Sequence, residues 1–164
     1  MKKESVEIHE HFMREALKEA RKGFEAGEVP VGAVVVHRQK IIGRAHNQME
    51  TLRDPTAHAE MIAITQAAEA LSEDKKDHRG SLEGATLYVT VEPCPMCAGA
   101  LVISKAKEVI FGIQDPKAGA CGSLFNIVND DRLNHRLKMQ GGVLANESRL
   151  FLQEFFKNLR KDRR

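Results

Sequence analysis

Four side chains in this sequence are of a type and spacing that can do chemistry: His58 and Glu60 in "PTAHAEMIA", and Cys94 and Cys97 in "EPCPMCAGA". Two thiolates and a neutral imidazole make a good ligand set for zinc. Three protein ligands leave a fourth tetrahedral position for water, and a catalytic zinc lowers the pKa of that water to roughly 7. A carboxylate beside the water suits the proton traffic, because it works as base and acid within one cycle. On this reading His58, Cys94 and Cys97 hold the metal, and Glu60 moves protons without binding it. Two rival readings use the same residues. C-x-x-C is also the spacing of a thioredoxin-like redox pair. Cys121 can complete a closed structural site with the other three ligands, which leaves Glu60 without a task.

The spacing places a demand on the elements that carry these residues. In mid-helix, residues i and i+2 point to nearly opposite faces. His58 and Glu60 therefore serve one site only at a helix start, where side chains converge on a point beyond the end. The residues that follow, Met61, Ile64, Thr65, Ala68 and Leu71, recur at helical spacing and predict that helix. Cys94 and Cys97 share one helix face. Pro95 suits the first helical position, where its missing N–H would have no partner. Cys94 then stands at a helix mouth with Cys97 in the first turn, where free N–H groups favour thiolate over thiol. Two helix N-termini, one from each half of the chain, are predicted to face one metal ion.

The remaining pattern alternates helix and strand. Ile8, Phe12, Ala16, Leu17, Ala20 and Phe24 mark an amphipathic helix that stops near Gly23–Gly27. "VPVGAVVVH" reads as a buried strand, Arg38–Gln39 as a turn and "KIIGRAHN" as the returning strand. A polar loop, Gln48–Thr56, leads to the His58 helix, and "SEDKKDHRGSLE" (Ser72–Glu83) reads as a surface connection. Then come a strand (Ala85–Val91), a helix (Pro95–Ser104), a strand (Lys107–Ile113) and a Gly-rich loop (Asp115–Ser123). A closing helix and basic tail, about 143–164, carry Leu152, Phe155, Phe156 and Leu159. This alternation implies an α/β domain with helices packed on a sheet. The length, 164 residues, fits one domain spanning 1–164.

Composition narrows the class further. With 42% hydrophobic and 29% charged residues the chain reads as globular rather than disordered. No apolar run approaches a membrane span, and "MKKESVEIHEHF" lacks the apolar stretch of a signal peptide, so a cytoplasmic location is expected. Three cysteines without a signal peptide argue for metal or redox chemistry over disulfides. The net charge is only +2, yet the last eight residues, "KNLRKDRR", hold five basic residues and one acid. Such a patch either meets phosphate or is a solvated helix end complementing the helix dipole.

H-x-E followed by P-C-x-x-C is the established signature of zinc-dependent nucleobase deaminases. Here it stands as "HAE" and "PCPMC", in that order. With "EVPVGAVVV", "HN", "DPTAHAE", "ATLYVTVEPCPMCAGA", "VIFG", "DPKAGACGSL", "GGVL" and "FF" before basic residues, the chain resembles the bacterial tRNA-specific adenosine deaminases from about Phe12 to Arg160. The resemblance implies a three-layer α/β/α fold of the cytidine-deaminase type, with a mixed central sheet covered by helices. It implies a homodimer with one zinc per subunit, and a tRNA anticodon stem-loop whose wobble adenosine becomes inosine. It makes His58, Cys94 and Cys97 zinc ligands and Glu60 the proton shuttle. Asn47 matches a position that hydrogen-bonds the target base, Val31 a wall of the base pocket, and Asp115 a position near the RNA backbone. Phe155, Phe156 and Arg160 match the closing helix that grips the anticodon loop. Taken alone, Asn47 and Asp115 read as turn residues and Val31 as core. Cys121 has no place in the family pattern, and Ser72–Glu83 is longer than the family's usual connection.

Two other functions fit the same metal site. A small-molecule deaminase acting on guanine, cytosine or a nucleotide would share it, but needs no aromatic and basic closing helix. A non-catalytic zinc module that binds RNA would have no use for Glu60.

Overall fold

The computed structural model describes residues 2–73 and 79–163. The elements are α1 (Lys2–Glu25), β1 (Gly32–His37), β2 (Lys40–His46), α2 (Met49–Leu52), α3 (Ala59–Ser72), β3 (Thr86–Val91), α4 (Pro95–Ile103), β4 (Glu108–Ile113), a 3₁₀ turn (Ile127–Asn129), β5 (Lys138–Gln140) and α5 (Ala145–Asp162). The strands form one mixed sheet in the order β2-β1-β3-β4-β5. β1 runs antiparallel to both β2 and β3, whereas β3, β4 and β5 are parallel. Parallel neighbours need a crossover, and α4 supplies the one between β3 and β4.

Strand alternation divides the core into two layers. Val34, Val36, Tyr88 and Ile110 face Phe12, Met13 and Ala16 of α1, with Val143 closing that side. Ala33, Val35, Leu87, Val89, Val109 and Phe111 face Ala59, Ala63 and Ala67 of α3 and Ala98 and Leu101 of α4. α5 packs beside α1 and against β4. The result is the expected α/β/α sandwich. Val34, Val35, Leu87, Val89, Val109 and Ile110 are each at most 1% exposed, and each such burial contributes roughly 1.5–3 kcal/mol.

Two glycines set how closely the helices approach. A Cβ at Gly32 would lie 1.9 Å from the Ala16 carbonyl oxygen of α1, and one at Gly43 would lie 2.3 Å from that of Ala63 in α3. The expected α3 is present, with Ile64 in the core and Ala68 and Leu71 partly buried against it. The buried stripe is Ala59, Glu60, Ala63, Ile64 and Ala67. Met61, Ala68 and Leu71 are only half-buried, and Thr65 is exposed.

The departures from the sequence reading are local. The Gln48–Thr56 loop contains α2. The 3₁₀ turn and β5 were not expected. Leu82, within the polar connection, is 1% exposed and its N–H donates to the Ser104 carbonyl at 2.6 Å. The middle of that connection, 74–78, lies outside the described residues. No helix among the described residues is long and apolar enough to cross a membrane.

Strand direction gathers the site. The C-terminal ends of β2, β3 and β4 and the N-terminal end of β1 lie at one edge of the sheet. Asn47, Cys94, Asp115 and Val31, which extend those ends, are therefore brought to one place, as in other open α/β sheets where ligands sit beyond the carboxyl ends of strands.

Candidate active site

α3 starts as the His58–Glu60 spacing requires. His58 is its N-cap, with extended backbone (φ −73°, ψ 149°) and no side-chain capping bond. The capping bond comes from elsewhere: Asn47 Oδ1 accepts the Ala59 N–H at 2.8 Å. The imidazole is thus free to leave the helix end, while Glu60, 4% exposed, sits in the first turn. α4 starts the same way. Cys94 is the N-cap, Pro95 occupies the first helical turn, and Cys97 follows in that turn. Both helix mouths deliver their side chains to one point.

His58 Nδ1 lies 3.6 Å from Cys94 Sγ and 3.6 Å from Cys97 Sγ. A tetrahedral zinc with bonds of about 2.0–2.1 Å to nitrogen and about 2.3 Å to sulfur holds such atoms about 3.6 Å apart. Among the described residues, the donor atoms of these three converge within 4.8 Å of one another. The set is therefore arranged to hold a metal ion. Cys121 lies outside it. Its thiol is buried and pushed up to about 12 by burial, with the Glu92 charge adding to the shift. The three cysteines are free.

The charges within the cluster are strongly shared. The hydrogen bond from Cys97 holds the Cys94 thiol down at about 5. Cys97, which gives that bond and is itself buried, is pushed far above the usual thiol range. Burial pushes the Glu60 carboxyl up, against the opposing pull of its own backbone N–H and the Cys97 thiol. A carboxyl raised in this way takes up a proton more readily than a solvated one.

A cavity of about 220 Å³ opens beside the cluster. It is smaller than the roughly 300–1,000 Å³ of drug-sized ligand sites and suits a single base. His58, Glu60, Cys94, Asn47, Val31 and Asp115 line it, so six of the predicted residues meet there. Asn47 Nδ2 makes no hydrogen bond among the described residues, and so remains available to a ligand. Asp115 Oδ1 accepts the N–H groups of Lys117 (2.9 Å) and Ala118 (3.2 Å), closing a turn at the rim.

Phe155, Phe156 and Arg160 do not reach the cavity. They lie on α5, where Phe155 packs against Phe156 at 5.4 Å and against Phe24 at 6.4 Å between ring centroids. Phe156 is 42% exposed, and Arg160 is exposed. Lys157, Arg160, Lys161 and Arg163 form no ion pair among the described residues.

Sequence reasoning missed Val29, Met49, Val91, Glu92 and Ala118, which also line the cavity. Glu92 is 3% exposed. Burial raises its carboxyl, but the hydroxyl and N–H of Ser123 and the N–H groups of Asp115 and Cys121 outweigh burial and hold it below the usual range. Glu28, away from the cavity, is a second buried glutamate, 1% exposed, whose carboxylate accepts the Glu50 N–H at 2.8 Å and anchors α2. An acid directly before a metal-ligand motif was the available signal for Glu92; nothing in the sequence marked Glu28.

Residues 7–160 match the model of the MafB19-like deaminase family. The chain is 50% identical over 155 residues to the tRNA-specific adenosine deaminase of Bacillus subtilis (strain 168), covering 94% of this chain and 92% of that one. The chain belongs to the tRNA-specific adenosine deaminases. A solved structure from studies of A-to-I editing by wobble-position tRNA deaminases superposes with a TM-score of 0.79 at 41% identity, covering 87% of this chain and 99% of the other. The guanine deaminase of Bacillus subtilis superposes less well, with a TM-score of 0.60 at 37% identity, covering 70% of this chain and 69% of that one.

Proposed function

We propose that this chain is a single-domain, zinc-dependent hydrolase that converts the wobble adenosine of a tRNA anticodon loop to inosine. The observation that carries the reading is the 3.6 Å convergence of His58, Cys94 and Cys97 beside the buried Glu60, in a chain 50% identical to a tRNA-specific adenosine deaminase. His58, Cys94 and Cys97 would hold one zinc per subunit. Bound there, zinc supplies a water acidic enough to act as a nucleophile at neutral pH.

The protein's own groups do the rest. Glu60 takes the proton of the attacking water and delivers it to the ring nitrogen next to C6. It then carries the second proton to the departing amine, so that C6 gains a carbonyl oxygen and ammonia leaves. Asn47 Nδ2 donates to the base, held in place by the bond its Oδ1 makes to α3. Val31 closes one wall of the cavity, and Asp115 stands at the rim where the RNA backbone passes. The base must leave its stack to reach so narrow a site.

Phe155, Phe156 and Arg160 would contact the anticodon loop away from the reacting base, by stacking and phosphate contact. We assign the enzyme to the cytoplasm, where tRNA is found, and to a homodimer, as the family resemblance implies. Incubating the purified protein with an adenosine-first anticodon stem-loop, followed by nucleoside analysis, should yield inosine. The likeness to a guanine deaminase supports one second reading. Turnover of free guanine with no inosine formed in the stem-loop would establish it.

A further inference from the structure

The cavity wall that carries Asp115 and Ala118 is an irregular loop, residues 114–123. Loops of this kind are ordinarily the least stable part of a site. Here one carboxylate ties both ends together. Glu92 accepts the N–H of Asp115 at 3.1 Å, of Cys121 at 3.0 Å and of Ser123 at 3.1 Å, as well as the Ser123 hydroxyl. The loop backbone wraps the carboxylate closely, since a Cβ at Gly119 would stand 2.3 Å from Glu92 Oε2. The Ala120 N–H donates to the Pro93 carbonyl at 2.8 Å, which adds a main-chain tie to the same segment. Packing alone does not account for Glu92, because a buried carboxylate is costly unless its oxygens are hydrogen-bonded. Only Pro93 separates it from Cys94.

The geometry points to Glu92 as a positioning residue that fixes the 114–123 loop against the metal-ligand segment and so sets how tightly the target base is held. The inference rests on the base-deaminating function proposed above. Glu92 takes no part in the proton path. It acts through the loop, and its loss should weaken substrate binding more than it slows chemistry.

The test compares the wild-type protein with Glu92→Leu, Glu92→Gln and Ser123→Ala. Leu removes every acceptor, Gln keeps one oxygen, and Ser123→Ala removes one donor only. Hydrogen exchange of the 114–123 amides should quicken by about tenfold or more in Glu92→Leu, and less in Glu92→Gln and Ser123→Ala in turn. KM for the anticodon stem-loop should rise in the same order, by about tenfold or more in Glu92→Leu, with kcat changed by less than about threefold. The absorption spectrum of the cobalt-substituted protein should match wild type throughout, because the ligands are untouched. If Glu92→Leu fails to fold, the order of Glu92→Gln and Ser123→Ala carries the test. Unchanged exchange in the Glu92 variants, a fall in kcat with KM constant, or a changed cobalt spectrum would each overturn the assignment. If the wild-type protein does not act on the stem-loop, the proposed function fails, and the exchange measurement alone decides whether Glu92 holds the loop.

Discussion

Asn47 offers a sharp test because its two side-chain atoms have separate jobs. Oδ1 accepts the buried Ala59 N–H at 2.8 Å and caps the turn that presents His58 and Glu60. In the proposed function Nδ2 is left for the base. Asn47→Ala deletes both. The orphaned N–H at the start of α3 should cost about 1–2 kcal/mol. For a chain of this size, 1 kcal/mol shifts Tm by roughly 2–4 °C, so a fall of about 2–8 °C is expected. Asn47→Asp keeps the acceptor and places a negative charge at a helix N-terminus, so its Tm should fall by less than that of Asn47→Ala. Both variants should lose stem-loop turnover, because neither has the Nδ2 donor. Thermal unfolding of the zinc-loaded proteins and inosine formation are the two assays. A Tm for Asn47→Ala within about 1 °C of wild type would refute the capping argument. Turnover by Asn47→Asp at the wild-type rate would remove Nδ2 from base recognition.

Four further outcomes are expected. Glu60→Ala should keep its zinc and its RNA affinity but lose turnover by at least about 10²–10⁴-fold, measured in single-turnover assays; near wild-type rates would exclude Glu60 from the proton path. Cys97→Ser should lose zinc by metal analysis and Cys121→Ser should retain it; an emptied site in Cys121→Ser would restore the closed structural-zinc reading. Phe156→Ala should weaken stem-loop binding by about 1–3 kcal/mol without altering metal content, if a base stacks on the ring. Wild-type affinity should also fall steeply with salt as phosphate contacts by Lys157, Arg160 and Lys161 are screened, and a salt-independent affinity would argue against them.

The metal-binding half of the site was legible because its signals are local. Pro95 after Cys94, and the i, i+2 spacing of His58 and Glu60, make sense only at helix starts, and both pairs stand at helix starts. Strands β1, β3 and β4 were legible for a similar reason: each is buried on both faces and reads as an apolar run. β5 was not, because Lys138, Met139 and Gln140 are all exposed and become a strand only by pairing with β4. The close approach of α3 to the sheet depended on Gly43 admitting its backbone, a fact about a different element. The three cysteines look alike as letters. Strand order and direction place two at a helix mouth facing His58 and bury the third in the loop that Glu92 holds. Glu28 and Glu92 show the same limit. By composition a glutamate is a surface residue, and these two are buried because the folded chain brings them backbone N–H groups from Glu50 and Thr51, and from Asp115, Cys121 and Ser123. The sequence by itself determined which atoms can bind metal and move protons, since that depends on residue type and local backbone. The tertiary structure decided which polar groups are buried and what they hold, since hydrogen bonds between distant segments exist only once the sheet has brought those segments together.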